Sequence, residues 1–171
     1  MTINIVELGP KHAKKYLELR RVSEIELPQY VGPSAERELM SGNKNIASLM
    51  AAYESEGTII FGAFLATELV GVLAISRRLS PKFQHRAFIW GMYIASEQRS
   101  LKIGATLLSH VKTWAKNHPE TTLLWLQVTA SNLPAIGFYR KFGFEIYGTE
   151  PQALFTQGQY HDVHYMQMSN L

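Results

Sequence analysis

The stretch from Asn132 to Phe144 constrains the fold of this chain more than any other part of the sequence. Pro134 favours the first turn of a helix, and Gly143 favours the end of that helix. Phe144 then begins an apolar run that is typical of a strand. Upstream, another strand pattern passes through Arg99 into a helical pattern. Strand–helix units in succession predict an α/β sheet in this half of the chain.

The remaining periodicity divides the chain into further strands and helices. The predicted strands are 3–8, 58–66, 70–77, 87–94, 122–128, 144–150 and 163–168. The predicted helices are 12–22, a second that starts near 34 and that Gly42 separates from a piece at 46–53, then 104–117 and 134–142. Because no linker or repeat interrupts this order, we expect a single α/β domain over residues 1–171.

Composition limits the classes of function. The chain has 171 residues, of which 46% are hydrophobic and 18% charged, so it can bury a core of ordinary size. The net charge of +3 is a much weaker basic excess than nucleic-acid binding shows, and we expect no nucleic-acid partner. With no cysteine, the chain has neither a thiolate nucleophile nor a disulfide.

The chain start and the most apolar stretch bear on location. Residues 1–7 lack a basic region followed by an apolar run, so we expect no secretory signal and a cytoplasmic protein. The nearly uncharged stretch 58–75 is long enough to span a membrane, but Glu68 interrupts it, and Gly62 and Gly71 lie within its β-rich runs. We therefore predict a buried hairpin here and no membrane insertion.

The turn from strand 87–94 into the next helix is a candidate anion site. A helix start exposes backbone N–H groups and the positive end of the helix dipole, which hold phosphate without a specific side chain. Gly104 permits a close approach to the backbone, and Arg99 and Lys102 add positive charge. The pattern fits a plain strand–helix turn with solvated cations equally well. The glycine spacings of dinucleotide-binding and P-loop motifs are absent.

Together, the loop 99–105 and the string from Asn132 to Phe144, with Tyr139 and Gly143 in place, resemble the C-terminal half of the GNAT family of N-acetyltransferases. The resemblance implies the GNAT fold, a mixed, mostly antiparallel sheet flanked by helices. It also implies acetyl-CoA as co-substrate and a reaction that needs no metal.

The family's coenzyme A loop usually reads Arg/Gln-x-x-Gly-x-Gly/Ala. Arg99, Gly104 and Ala105 match that pattern, whereas Lys102 stands where the first glycine is expected and Ser100 replaces a frequent glycine. If position 102 requires a positive φ, a lysine there costs roughly a kilocalorie per mole or more.

The resemblance also implies the other contacts of the cofactor. The amides of residues 99–105, Ile103 among them, would hold the pyrophosphate, and the main chain of Met92 and Ile94 would pair with the pantetheine arm. The amide side chain of Asn132 would contact the coenzyme. On the residues alone, Met92 fits a plain core position equally well.

The resemblance gives Tyr139 the role of general acid. Transfer of an acetyl group from a thioester releases a thiolate, and because a free thiol has a pKa of about 8.5, a nearby acid helps it to leave. In the family, the matching tyrosine points its hydroxyl at the sulfur. The residues alone also fit an aromatic core cluster of Phe138, Tyr139, Phe142 and Phe144.

The base that deprotonates an amine acceptor is harder to place. Strand 88–93 carries no carboxylate, which some relatives use for this step. The remaining candidates fit ordinary surface roles equally well; they are Glu24, Glu26, Tyr30, His85, Glu97, His161 and His164. We expect no metal site at the set His161, Asp162 and His164, because alternation along a strand divides it between two faces.

The resulting hypothesis is direct transfer of an acetyl group from acetyl-CoA to a primary amine of a small-molecule or peptide acceptor. No covalent intermediate is expected, and a homodimer is possible because family members are often dimers. Two alternatives stay open. One is a module that binds acyl-CoA as a sensor without catalysis, and the other is a basic interaction protein whose binding falls steeply with salt.

Overall fold

Strands and helices alternate along the chain in the computed structural model, which describes residues 2–30, 33–78 and 80–169 and, between 33 and 44, only the side chain of Glu38. The strands are β1 (Ile3–Glu7), β2 (Thr58–Leu65), β3 (Glu68–Arg77), β4 (Arg86–Ile94), β5 (Leu123–Thr129), β6 (Glu145–Thr156) and β7 (Gln159–Met168). The helices are α1 (Ala13–Glu26), α2 (Pro33–Ser55), α3 (Ile103–Lys116) and α4 (Leu133–Lys141). Short 3₁₀ helices precede α1 at Pro10–His12 and α3 at Ser96–Leu101.

The strands form one sheet in the order β1-β2-β3-β4-β5-β7-β6. Every neighbouring pair is antiparallel except β4 and β5, which run parallel and are joined through α3. The predicted hairpin at 58–75 is the antiparallel pair β2–β3. The mixed, mostly antiparallel sheet flanked by helices confirms the predicted fold class.

Side chains on the two faces of the sheet form two separate apolar cores. One core packs α1 and α2 against the sheet, for example through Leu17, Ile46 and Val72. The other packs α3 and α4 against the opposite face, for example through Leu107 and Leu73. Because successive residues of a strand point to opposite faces, Val72 and Leu73 serve different cores.

The sequence prediction was wrong about the second helix. Gly42 was expected to divide it, but α2 is continuous from Pro33 to Ser55. A glycine in a helix interior costs about 1 kcal/mol relative to alanine. Burial of Ile46, Met50 and Tyr53 in the α1–α2 core outweighs that cost. None of the helices in the described part of the chain is long and apolar enough to span a membrane.

Candidate active site

The sheet has a gap where β4 and β5 separate before either strand ends. The two strands pair only from Arg86 opposite Leu123 to Ile89 opposite Leu126, although β4 continues to Ile94. A β-bulge follows this point, because the β3–β4 register passes from Ala74 opposite Trp90 to Val72 opposite Tyr93. Gly91 lies in the bulge with φ of +63°, a value that favours glycine. The bulge turns β4 away from β5, as bulges beside functional sites do.

The gap holds a cavity of about 480 Å³. Its walls are the bulged part of β4, the end of β5, the start of α4 and the C-terminal half of α1. A volume of this size is typical of small-ligand sites, which occur where strands of an α/β sheet separate. Described residues from both faces of the sheet line it, among them Arg20, Met92, Thr129, Asn132 and Tyr139.

Tyr139 lies on α4 with its ring in the core and its hydroxyl toward the cavity. The ring packs edge-on against Phe138 and Phe144, at centroid distances of 5.3 Å and 5.7 Å. The hydroxyl donates to Sδ of Met92 at 3.3 Å, and the residue is 8% exposed. The ring therefore belongs to an aromatic core cluster, and the catalytic role of the hydroxyl stays a prediction. Burial raises the pKa of Tyr139 well above its usual value, so the group carries its proton at neutral pH.

Met92 links Tyr139 to the start of α3. Its Sδ accepts the hydroxyl of Tyr139, and a Cβ built on Gly104 would lie 2.9 Å from its Cε. The glycine at 104 therefore leaves space for the methionine side chain. The sequence assigned Gly104 to close approach of a ligand, and the structure adds this packing reason for it.

The predicted phosphate loop contains a strained residue. Lys102, the residue before α3, has φ of 58° and ψ of 21°, which is the left-handed conformation. This is the conformation for which a lysine was expected to cost roughly a kilocalorie per mole. The first three amides of α3, those of Ile103, Gly104 and Ala105, have no intrahelical partner by helix geometry. The side chain of Ile103 is fully buried, so only its main chain is available to a ligand.

Arg99 is already paired in the structure. Its Nη2 lies 2.6 Å from Oε1 of Glu26, its Nε donates to the carbonyl of Ile94 at 3.3 Å, and its guanidinium lies over the ring of Tyr93. The hydroxyl of Tyr93 donates to the other oxygen of Glu26. The hydrogen bond from Tyr93 lowers the pKa of Glu26 most, and the contact with Arg99 lowers it further. Burial raises the pKa of Tyr93 to about 12. A carboxylate with a lowered pKa is a poor general base.

Of the remaining predicted cofactor residues, Asn132 lines the cavity, whereas Ile94 and Ser100 are not among the described lining residues. The side-chain oxygen of Asn132 accepts from the amide of Ala135 at 3.2 Å and so caps α4, which leaves the NH₂ group for a ligand. Ile94 is the last residue of β4 and pairs with Gly71 of β3. Ser100 lies exposed in the 3₁₀ helix before α3.

The candidates for the general base mostly lie away from the cavity. Among the described residues that line the cavity, Tyr30 is the only one of these candidates. The three candidate histidines do not line it. Of the described lining residues, only Glu56 is a carboxylate, and it is exposed. Within residues 2–30, 33–78 and 80–169 there is no group of three His, Asp or Glu side chains that could hold a metal ion.

Sequence reasoning missed Arg20, the buried arginine of the cavity. The side chain lies on α1, is 2% exposed and pairs with Glu38 of α2, with Nε at 2.8 Å from Oε2. In the sequence it stands beside Arg21 in a helix of mixed charge, which is typical of a solvated face. No local pattern distinguishes it, because its burial depends on how α1 and α2 pack.

The family model described as "Acetyltransferase (GNAT) family" matches residues 19–144. The chain belongs to this family. It is 30% identical over 99 residues to the L-amino acid N-acetyltransferase AaaT of Escherichia coli, covering 58% of this chain and 60% of that protein. It is 37% identical over 67 residues to N-alpha-acetyltransferase 50 of Danio rerio, covering 39% and 40%. The chain thus spans less than two thirds of the length of both relatives.

Solved structures share the fold over nearly the whole chain. An acetyltransferase of the GNAT family from Streptococcus pneumoniae superposes with a TM-score of 0.82 at 21% identity, covering 98% of this chain and 99% of that one. The structure of yncA from Salmonella typhimurium, solved with its cofactor acetyl-CoA, superposes with a TM-score of 0.81 at 14% identity, covering 99% and 94%. At identities of 21% and 14%, the likeness shows a shared fold only.

Proposed function

We propose that this chain is an N-acetyltransferase that moves an acetyl group from acetyl-CoA directly to a primary amine. The observation that carries the proposal is the hydroxyl of Tyr139, which lies at the gap between β4 and β5 and already donates to a sulfur atom, that of Met92. A thioester sulfur within reach of this hydroxyl would accept the hydrogen bond in place of Sδ of Met92. The family membership supports this chemistry.

The proposed cofactor site fits the residues that are present. The main chain of β4 beyond Ile89 has no partner on β5, so it is free to pair with an extended arm. The first amides of α3 offer donors for a diphosphate. We propose that the site comprises Met92, Ile94, Arg99, Ser100, Lys102, Ile103, Gly104, Ala105 and Asn132.

In the proposed reaction, the amine nitrogen attacks the thioester carbonyl carbon, and the C–S bond breaks as the C–N bond forms. Tyr139 gives its proton to the leaving sulfur and takes another from solvent. The proton lost by the amine passes to solvent, since no carboxylate lies on the cavity-facing part of β4. Burial raises the pKa of the Tyr139 hydroxyl, which keeps the group protonated at neutral pH but also makes it a weaker acid toward the thiolate.

The test compares the protein with its Tyr139→Phe variant. Acetyl-CoA is mixed with a panel of amines, and free thiol is measured. We expect the variant to lose roughly a hundredfold in turnover, the low end for general acids, because a thiolate is a fair leaving group. Its KM for acetyl-CoA should change little, because the ring still packs against Phe138 and Phe144. Full turnover in Tyr139→Phe would remove the catalytic role.

A non-catalytic acyl-CoA sensor is the second candidate. The strained Lys102 and the lack of a carboxylate on β4 are the observations that favour it. Tight binding of acetyl-CoA without thiol release for any amine in the panel would support the sensor. The single domain over residues 1–171, a cytoplasmic location and a homodimer stay predictions.

A further inference from the structure

Arg20 reaches the cavity from α1 and is the one cationic side chain among the described residues that line it. Its head group lies against the bulge of β4. A Cβ at Gly91 would lie 3.7 Å from Nη1 and 3.9 Å from Nη2 of the arginine. The guanidinium is therefore at the point where β4 leaves β5, on the α1 side of the gap.

The protein uses only part of this guanidinium. Nε donates to Oε2 of Glu38, whose other oxygen accepts from the hydroxyls of Tyr16 at 2.7 Å and Tyr53 at 3.3 Å. Nη1 makes a long contact of 3.4 Å with the carbonyl of Gly91. Nη2 is buried and has no hydrogen-bond partner among the described residues. Because an arginine has five N–H donors, its Nη1–Nη2 edge retains donors that the protein does not satisfy.

A buried donor without a partner is rare and costs free energy, which calls for a partner that the protein itself does not supply. The planar Nη edge of an arginine matches a carboxylate in two parallel hydrogen bonds. Glu38 does not fill this role, since Nη2 has no partner within hydrogen-bond distance among the described residues. An acceptor from outside the protein would reach this edge through the cavity that Arg20 lines.

We infer that the Nη edge of Arg20 binds a carboxylate of the acceptor, so that the acceptor is a free amino acid and not a peptide N-terminus. This inference rests on the proposed function and deepens it, because it names the substrate class for the same cavity. A peptide N-terminus has an amide where a free amino acid has its carboxylate. The ammonium group of the amino acid balances the added negative charge on entry, before it loses its proton.

The test uses matched acceptors that differ only at the carboxylate. Thiol release from acetyl-CoA is measured with free L-amino acids, their amides and the corresponding decarboxylated amines. We expect kcat/KM for the free amino acid to exceed that of its amide about tenfold or more. The amine of an amide is less basic, so more of it is neutral at pH 7. A preference for the carboxylate form therefore cannot arise from amine ionisation.

A variant separates binding by Arg20 from other causes. In the double variant Arg20→Gln/Glu38→Gln, which leaves no unpaired buried charge, the preference should fall to about one while the KM for acetyl-CoA stays the same. If that variant does not fold, Arg20→Lys retains the charge but loses the planar edge, and the preference should fall at least severalfold. Equal or faster reaction of amides or peptides, or a preference that survives in the folded variant, would overturn the inference alone. No thiol release with any amine would overturn the proposed function itself.

Discussion

Replacement of Lys102 by glycine should stabilise the protein, although it removes a whole side chain. The left-handed conformation at position 102, with φ of 58°, costs a non-glycine residue about 1–2 kcal/mol. Glycine avoids this cost but loses more entropy on folding, about 0.4–1 kcal/mol. The Lys102 side chain is exposed, so little packing is lost. The difference leaves a gain of about 0.5–1 kcal/mol in the free energy of unfolding.

Urea denaturation measures this gain directly, and for a chain of this size it corresponds to a rise in Tm of about 1–4 °C. Lys102→Ala is the matched control, because it removes the same ammonium group and keeps the positive φ; it should give no gain. Ala66→Gly, at another residue with a positive φ of 53°, should stabilise by a similar amount and lies outside the candidate site. If Lys102→Gly is no more stable than Lys102→Ala, the positive φ at position 102 does not cost the folded protein free energy.

Two further predictions concern Glu26 and Gly91. The lowered pKa of Glu26 means that its contribution to stability is complete above the ordinary carboxyl pKa of about 4.5 and is lost as the pH falls through the lowered value. Urea midpoints of Glu26→Gln should therefore fall less between about pH 6 and 3 than those of the unchanged protein; parallel curves would contradict this. Gly91→Ala should destabilise by about 1 kcal/mol through its φ of +63°, since the new Cβ meets Arg20 only at ordinary contact distance. Gly148→Ala, where a Cβ meets nothing within 4 Å, should be close to neutral in the same assay. Equal losses of stability in the two variants would show that the positive φ of Gly91 is not the cause.

The parts of the fold that local patterns determine were predictable from sequence. Asn132 and Gly143 delimit α4 to within a residue or two, because a cap and a stop act within one helical turn. The break predicted at Gly42 was wrong for a related reason. The local cost of a glycine in a helix is visible in the sequence, whereas the tertiary packing that outweighs it is not.

The electrostatic contacts of the site were not predictable in this way. Arg20 and Glu38 lie on different helices, and Arg99 meets Glu26 only after the loop before α3 folds toward the end of α1. Each of these residues, taken alone, has the sequence context of a surface charge. Pairing between distant segments depends on the helix packing, and one sequence without an alignment contains no signal for it.

The bulge at Gly91 connects the two halves of the proposed reaction. It ends the pairing of β4 with β5, which leaves the β4 main chain free for an extended ligand and opens the cavity. It also places Met92 beside the hydroxyl of Tyr139, on the α4 side of the gap. On the other side, Nη1 of Arg20 lies 3.4 Å from the carbonyl oxygen of Gly91, so the guanidinium contacts the same bulge. In the proposed complex an acceptor between these two points would be held against one short piece of backbone, so a change in the conformation of residue 91 should affect the binding of both substrates together.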